Sequence, residues 1–138
     1  MARPASNHPT DGELEILRIL WEQGPATLGA VRSAMLAQRE VATTTVATML
    51  KVMLEKNLVQ RARGARGYEW SASVSRNSTA RGMLGKLVDG LFDGSAQQLV
   101  THIVDDGALT PDEIEELRKL LAKSRPTKTS RKKRPKDD

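Results

Sequence analysis

Three threonines and a lysine, Thr44, Thr45, Thr48 and Lys51, fall at helical spacing on one side of a segment that Thr43 opens. Its other side is apolar, with Val46, Met49, Leu50 and Met53. Each threonine offers a hydroxyl that can donate and accept, and a methyl that can meet a thymine methyl. Lys51, one turn on, can reach a phosphate. No acid interrupts this side until Glu55. A second basic group follows, Arg61, Arg63 and Arg66, on or near a glycine-bearing loop. Together these are the groups that read double-stranded DNA: hydroxyls and methyls for base edges, cations for the backbone. Singly, each has a plainer reading. Threonines at a helix start also reflect capping and low helix propensity. Arginines on a hairpin also form ordinary solvated surface.

Catalytic chemistry finds little to work with. The chain has no cysteine, which removes disulfides, thiolate metal sites and a thiol nucleophile. His8 and His102 are far apart, so no histidine cluster for a metal is expected. An enzyme would need a nucleophile–base pair or a metal cluster, and neither is visible. Asp105-Asp106 reads as a helix terminus and Glu115-Glu116 as a solvated helix face. No cofactor is expected, and no small-molecule pocket is evident.

The elements that must position the basic groups follow from periodicity and punctuation. Thr10 with Glu13 forms a capping box before an apolar stripe of Leu14, Leu17, Ile19, Leu20 and Trp21. Gly24-Pro25 ends that helix. Thr27 caps a second helix with Leu28, Val31 and Met35 on one face. Residues 38–42 connect to the threonine-bearing helix, about Thr43 to Lys56, which ends at Asn57. A strand from Leu58 to Ala62, a loop with Gly64 and Gly67, and Tyr68-Glu69-Trp70 make a β-hairpin. Tyr68 and Trp70 alternate with Glu69 and are expected to pack the hairpin on the helices. Helix–helix–helix–hairpin is the order of a winged helix-turn-helix, with the third helix in the major groove and the hairpin as the wing. The wing arginines would meet the backbone or the minor groove.

From about Val74 the chain is helical again. Leu84, Leu87, Val88, Leu91 and Phe92 make one stripe, ended by Asp93-Gly94. Ser95 caps a segment with Leu99, Val100, Ile103 and Val104, which Asp105-Asp106-Gly107 breaks. Thr110-Pro111-Asp112-Glu113 starts a last helix carrying Ile114, Leu117, Leu120 and Leu121. The expected fold is therefore mainly α with a small β-hairpin wing. It has a flexible N-terminus (1–9), a winged helix DNA-binding domain (10–72), a helical dimerisation domain (73–122) and a disordered basic tail (123–138).

Charge separates these regions. The 138 residues carry a net charge of +5. Residues 1–70 contribute +2, residues 71–122 contribute −3 and the last sixteen contribute +6. The tail has no large apolar side chain and cannot offset its ordering entropy. It reads equally as a solubilising appendage or as a non-specific phosphate clamp. The C-terminal helices have thin stripes and, apart from Phe92, no aromatics, too little for a core of their own. Two interlocked copies would bury them, which predicts a homodimer on a two-fold-symmetric operator; the plainer alternative is that these helices fold back on their own winged helix. The longest apolar run is four residues, Ala34 to Ala37, so no membrane insertion is expected and the expected location is cytoplasmic.

Between Thr10 and Leu121 the chain resembles the penicillinase repressor family, the BlaI/MecI type. The resemblance rests on Asp11 to Trp21, Thr45 to Leu58 (TVATMLKVMLEKNL), Gly64 to Trp70, Leu87 to Ser95 (LVDGLFDGS) and Leu109 to Leu121 (LTPDEIEELRKLL), in that order. It implies a dimeric repressor on a palindromic operator, relieved by a membrane-bound zinc metalloprotease sensor that cuts the dimerisation domain. By position it places Thr44, Thr45 and Thr48 on the recognition helix, beside Thr43 and Lys51, and Arg63 and Arg66 on the wing. It places Leu84, Leu87, Leu91, Leu99, Val100, Ile103, Ile114 and Leu117 in the dimerisation stripe. The resistance repressors are cut at an Asn-Phe bond, and the matching pair here is His102-Ile103. They carry Pro-Lys at the recognition-helix entry, where this chain has Thr43-Thr44. The family's copper-sensing branch uses cysteines this chain lacks. The competing expectation is an architectural, nucleoid-type protein that coats DNA through its tail without choosing sequence.

Overall fold

The computed structural model describes residues 8–124. The expected loose N-terminus through Asn7 and the basic tail from Arg125 lie outside the described residues. Six helices and one hairpin follow in order: α1 (Asp11–Gln23), α2 (Leu28–Leu36), α3 (Thr43–Glu55), β1 (Val59–Gly64), β2 (Gly67–Ala72), α4 (Arg76–Leu91), α5 (Ala96–Asp105) and α6 (Pro111–Lys123). The chain divides into two compact units, one through Met83 and one from Leu84, with the division inside α4. The architecture is mainly helical with a single two-stranded wing, as expected.

The first unit is built around one cluster. Ile16, Leu17 and Leu20 of α1 meet Val31 and Met35 of α2, Val46, Leu50 and Met53 of α3, and Leu58, Val59 and Trp70 of the hairpin. These are the periodic apolar positions of each helix, and burying them stabilises the unit by about 1.5–3 kcal/mol per large side chain. The capping box forms as expected: the Thr10 hydroxyl accepts from the Glu13 amide, and the Glu13 carboxylate accepts from the Thr10 amide. The same Glu13 oxygen also accepts from Lys56 Nζ at 2.7 Å. Glu13 is buried, so this pair fixes the start of α1 against the end of α3. Helix α3 closes with Asn57 at φ 66° and the Leu58 amide donating to the Met53 carbonyl, a Schellman-type end between two buried side chains.

The hairpin is longer than the sequence reading suggested. β1 runs two residues further than Ala62, and β2 extends to Ala72. Only Ala65 and Arg66 turn between them, and Gly67 at φ 104° takes a conformation that L side chains rarely adopt. Ala26 adds an isolated bridge to Trp70: the Ala26 amide donates to the Trp70 carbonyl at 2.9 Å, and the Trp70 amide donates back at 2.7 Å. The segment read as a helix stop is thus also an anchor for the wing.

The second unit is different in kind. Ser95 and Thr110-Pro111 cap α5 and α6 as expected, the latter with a full capping box. Helices α5 and α6 nevertheless bury no residue, and Val88 is the only buried side chain of α4. α4 begins at Arg76 rather than near Val74; the Val74 carbonyl instead accepts from the Trp21 indole.

Candidate nucleic-acid interface

Helix α3 divides by face. Val46, Leu50 and Met53 are fully buried, whereas Thr43, Thr44, Thr45, Thr48 and Lys51 are all exposed. The N-cap is Ala42, which makes no side-chain cap, so the threonine run does not serve as an α3 cap. Two contacts hold the helix in place. Arg32 of α2 donates through Nε to the Val41 carbonyl at 2.9 Å, in the turn that enters α3. Arg39 in the same turn pairs with Glu15 of α1 at 2.9 Å. α3 is thus positioned by its buried face, its entry turn and Lys56, while its threonine face is left to solvent.

The wing lies beside this helix. Cross-strand register pairs Arg61 with Trp70 and Arg63 with Tyr68, so all four share one face of the hairpin. At the root of that face Val59 and Trp70 are buried; toward the tip it is Arg61, Arg63 and Tyr68, all exposed. An open groove between α3 and this face is lined by Lys51, Arg61, Arg66, Tyr68 and Trp70, with Thr27, Leu28 and Gly29 of the α2 start. Three cations converge there. The nearby acid, Glu69, pairs in register with Ala62 and belongs to the opposite face of the hairpin.

One sequence expectation is corrected. Tyr68 does not pack on the helices; it is 43% exposed, against 7% for Trp70. The alternation identified the shared face correctly, but the hairpin projects past the core before it reaches Tyr68. Of the three wing arginines, Arg61 and Arg66 line the groove with Lys51. The two-residue spacing of Arg61 from Arg63 places both on one strand face. Arg63 does not line that groove and stands over Tyr68.

In the second unit Leu84, Leu87, Leu91, Val100, Ile103, Ile114 and Leu117 are exposed and Leu99 is half-buried. Val104, Leu120 and Leu121 are exposed too and extend the same helical periodicity. His102 and Ile103 fall inside α5, both exposed, with the His102 ring 5.2 Å from that of Phe92. Among the described residues no group of acids and histidines could hold a metal, and no helix is long and apolar enough to cross a membrane.

Known proteins match this chain in sequence. The profile of the penicillinase repressor family matches residues 9–123. The transcriptional regulator BlaI of Mycobacterium tuberculosis is 33% identical over 115 residues, covering 80% of this chain and 82% of that protein. The methicillin resistance regulatory protein MecI of Mammaliicoccus sciuri is 23% identical over 114 residues, covering 83% and 93%. Among solved structures, ZitR of Lactococcus lactis aligns with a TM-score of 0.43 and 19% identity, over 88% of this chain and 77% of that one. With a matched span that reaches well into both units, the chain belongs to the penicillinase repressor family, a family of transcriptional repressors and not of enzymes.

Proposed function

We propose that this chain is a sequence-specific DNA-binding repressor that sits as a homodimer on a palindromic operator. The observation that carries the reading is the exposed face of α3: Thr43, Thr44, Thr45, Thr48 and Lys51 are set beside a groove with Arg61 and Arg66. In this reading α3 enters the major groove, Thr44, Thr45 and Thr48 meet base edges, and the uncapped start of α3 faces a phosphate. Lys51, Arg63 and Arg66 neutralise backbone charge, so affinity falls as salt rises. The exposed stripe of α4, α5 and α6 supports pairing of two copies, since a monomer rarely leaves so much aliphatic surface to water. Pairing would space two recognition helices on a two-fold-symmetric site.

Relief by a membrane zinc metalloprotease belongs to the same reading. The His102–Ile103 bond is helical and must unwind before a protease can cut it. α5 buries no residue of its own, so in the unpaired chain that opening is inexpensive.

The deciding experiment is selection of bound sites from random duplex DNA, with the full chain and with a chain ending at Lys123. A palindromic motif common to both is the expected result. Absence of any motif, with binding lost on truncation, would replace this reading with the architectural one. On the selected operator Thr48→Ala is expected to weaken binding about tenfold while leaving the melting temperature unchanged. Undiminished affinity would remove Thr48 from the base-reading set.

A further inference from the structure

We propose that Tyr68 is a positioning residue of the wing, whose ring holds Arg61 and Arg63 ordered before DNA arrives. The proposal rests on the DNA-binding reading above and deepens it. Four side chains alternate along one hairpin face from the core outward: Trp70, Arg61, Tyr68, Arg63. The Arg61 guanidinium carbon lies 5.5 Å from the Trp70 ring centre and 4.3 Å from that of Tyr68. Arg63 lies 5.2 Å from the Tyr68 ring on its own account. Trp70 is buried and bonded through both backbone groups to Ala26, so the stack starts from a fixed point.

Burial in the core does not explain Tyr68, the chain's single tyrosine, because it is exposed and lies outside the buried cluster. Neither arginine is ion-paired among the described residues. A guanidinium stacks through its face and hydrogen-bonds through its edge. Stacking on Tyr68 therefore leaves the N–H edges of both arginines free for phosphate oxygens. It also removes rotamer freedom that an unsupported arginine would lose only on binding. Tyr68 itself need not touch the nucleic acid.

This separates two kinds of loss. Removing a phosphate-contacting arginine lowers the number of counterions released, and so the salt slope of binding. Removing the ring that orders it lowers affinity and leaves the slope, because both charges still reach phosphate in the complex. The test uses the full chain and a fluorescein-labelled 30-base-pair duplex of arbitrary sequence, titrated over a series of KCl concentrations. Y68A is expected to bind about three- to tenfold more weakly at every salt concentration, with the wild-type slope. Y68F is expected to bind as wild type, and R61A and R63A each to reduce the slope by about 0.9. In the free protein, NMR order parameters of the Arg61 and Arg63 Nε–H groups are expected to fall in Y68A. Wild-type affinity in Y68A overturns the proposal, as does a Y68F as weak as Y68A, which would make the hydroxyl the working group. If the wild-type chain binds no duplex, the DNA reading itself falls and this proposal with it.

Discussion

Through Met83, thirteen buried hydrophobic side chains close into one cluster. Among the described residues from Leu84 on, Val88 alone is buried, and ten large aliphatic side chains stand exposed on helices that are otherwise well capped. The two regions use similar residues, chiefly Leu, Val, Ile and Met, at similar helical spacing. What differs is geometry. In the first region three helices and a hairpin surround a common centre. In the second, each amphipathic stripe lacks an opposing one. A stripe with good caps and no core on its own chain is the feature on which the proposed pairing of two copies rests.

That contrast can be broken most forcefully at the centre of the first region. Leu50→Ala removes a fully buried side chain from α3 and is expected to lower stability by about 3–4 kcal/mol in denaturant unfolding. A loss below 1 kcal/mol would mean that the cluster is looser than its burial implies. Leu91→Asp probes the other region. Leu91 is 67% exposed in the single chain, so the change should cost the isolated fold little. It is expected to give a monomeric mass by light scattering and to weaken operator binding about a hundredfold, as two linked half-sites become independent. A dimeric mass would show that the stripe has another use. The smallest effect is expected at Gly85→Ala. A Cβ there would meet nothing within 4 Å, so the change should stabilise α4 by about 0.5–1 kcal/mol and raise its helical circular dichroism signal. A lower melting temperature would instead reveal that the second region depends on a bare backbone at this point.

Local signals in the sequence reached far in both regions. Thr10 with Glu13, Thr27, Ser95 and Thr110-Pro111 mark helix starts because caps are chosen within four residues. The threonine face of α3 was legible because a period of 3.6 separates it from Val46, Leu50 and Met53. Three features were not legible: two join residues distant in the chain, and the third depends on where the hairpin leaves the core. Lys56 reaches Glu13 across 43 positions, and neither residue's neighbourhood announces the other. Ala26 pairs with Trp70, although Gly24-Pro25 reads only as an interruption. Tyr68 shares a strand face with Trp70, but alternation does not tell where a hairpin leaves the body it rests on.

The division of α3 into a buried face and an unengaged one bears on how such a regulator can change over generations. Thr43, Thr44, Thr45 and Thr48 are exposed, and α3 has its N-cap at Ala42 without them. Their identities are therefore nearly independent of foldability. Under the proposed reading, a lineage can vary all four while Val46, Leu50 and Met53 keep the scaffold constant, and so acquire a new operator without passing through an unfolded intermediate. The same independence makes a combinatorial library at these four positions a collection of folded proteins, sorted by what they recognise and not by whether they survive.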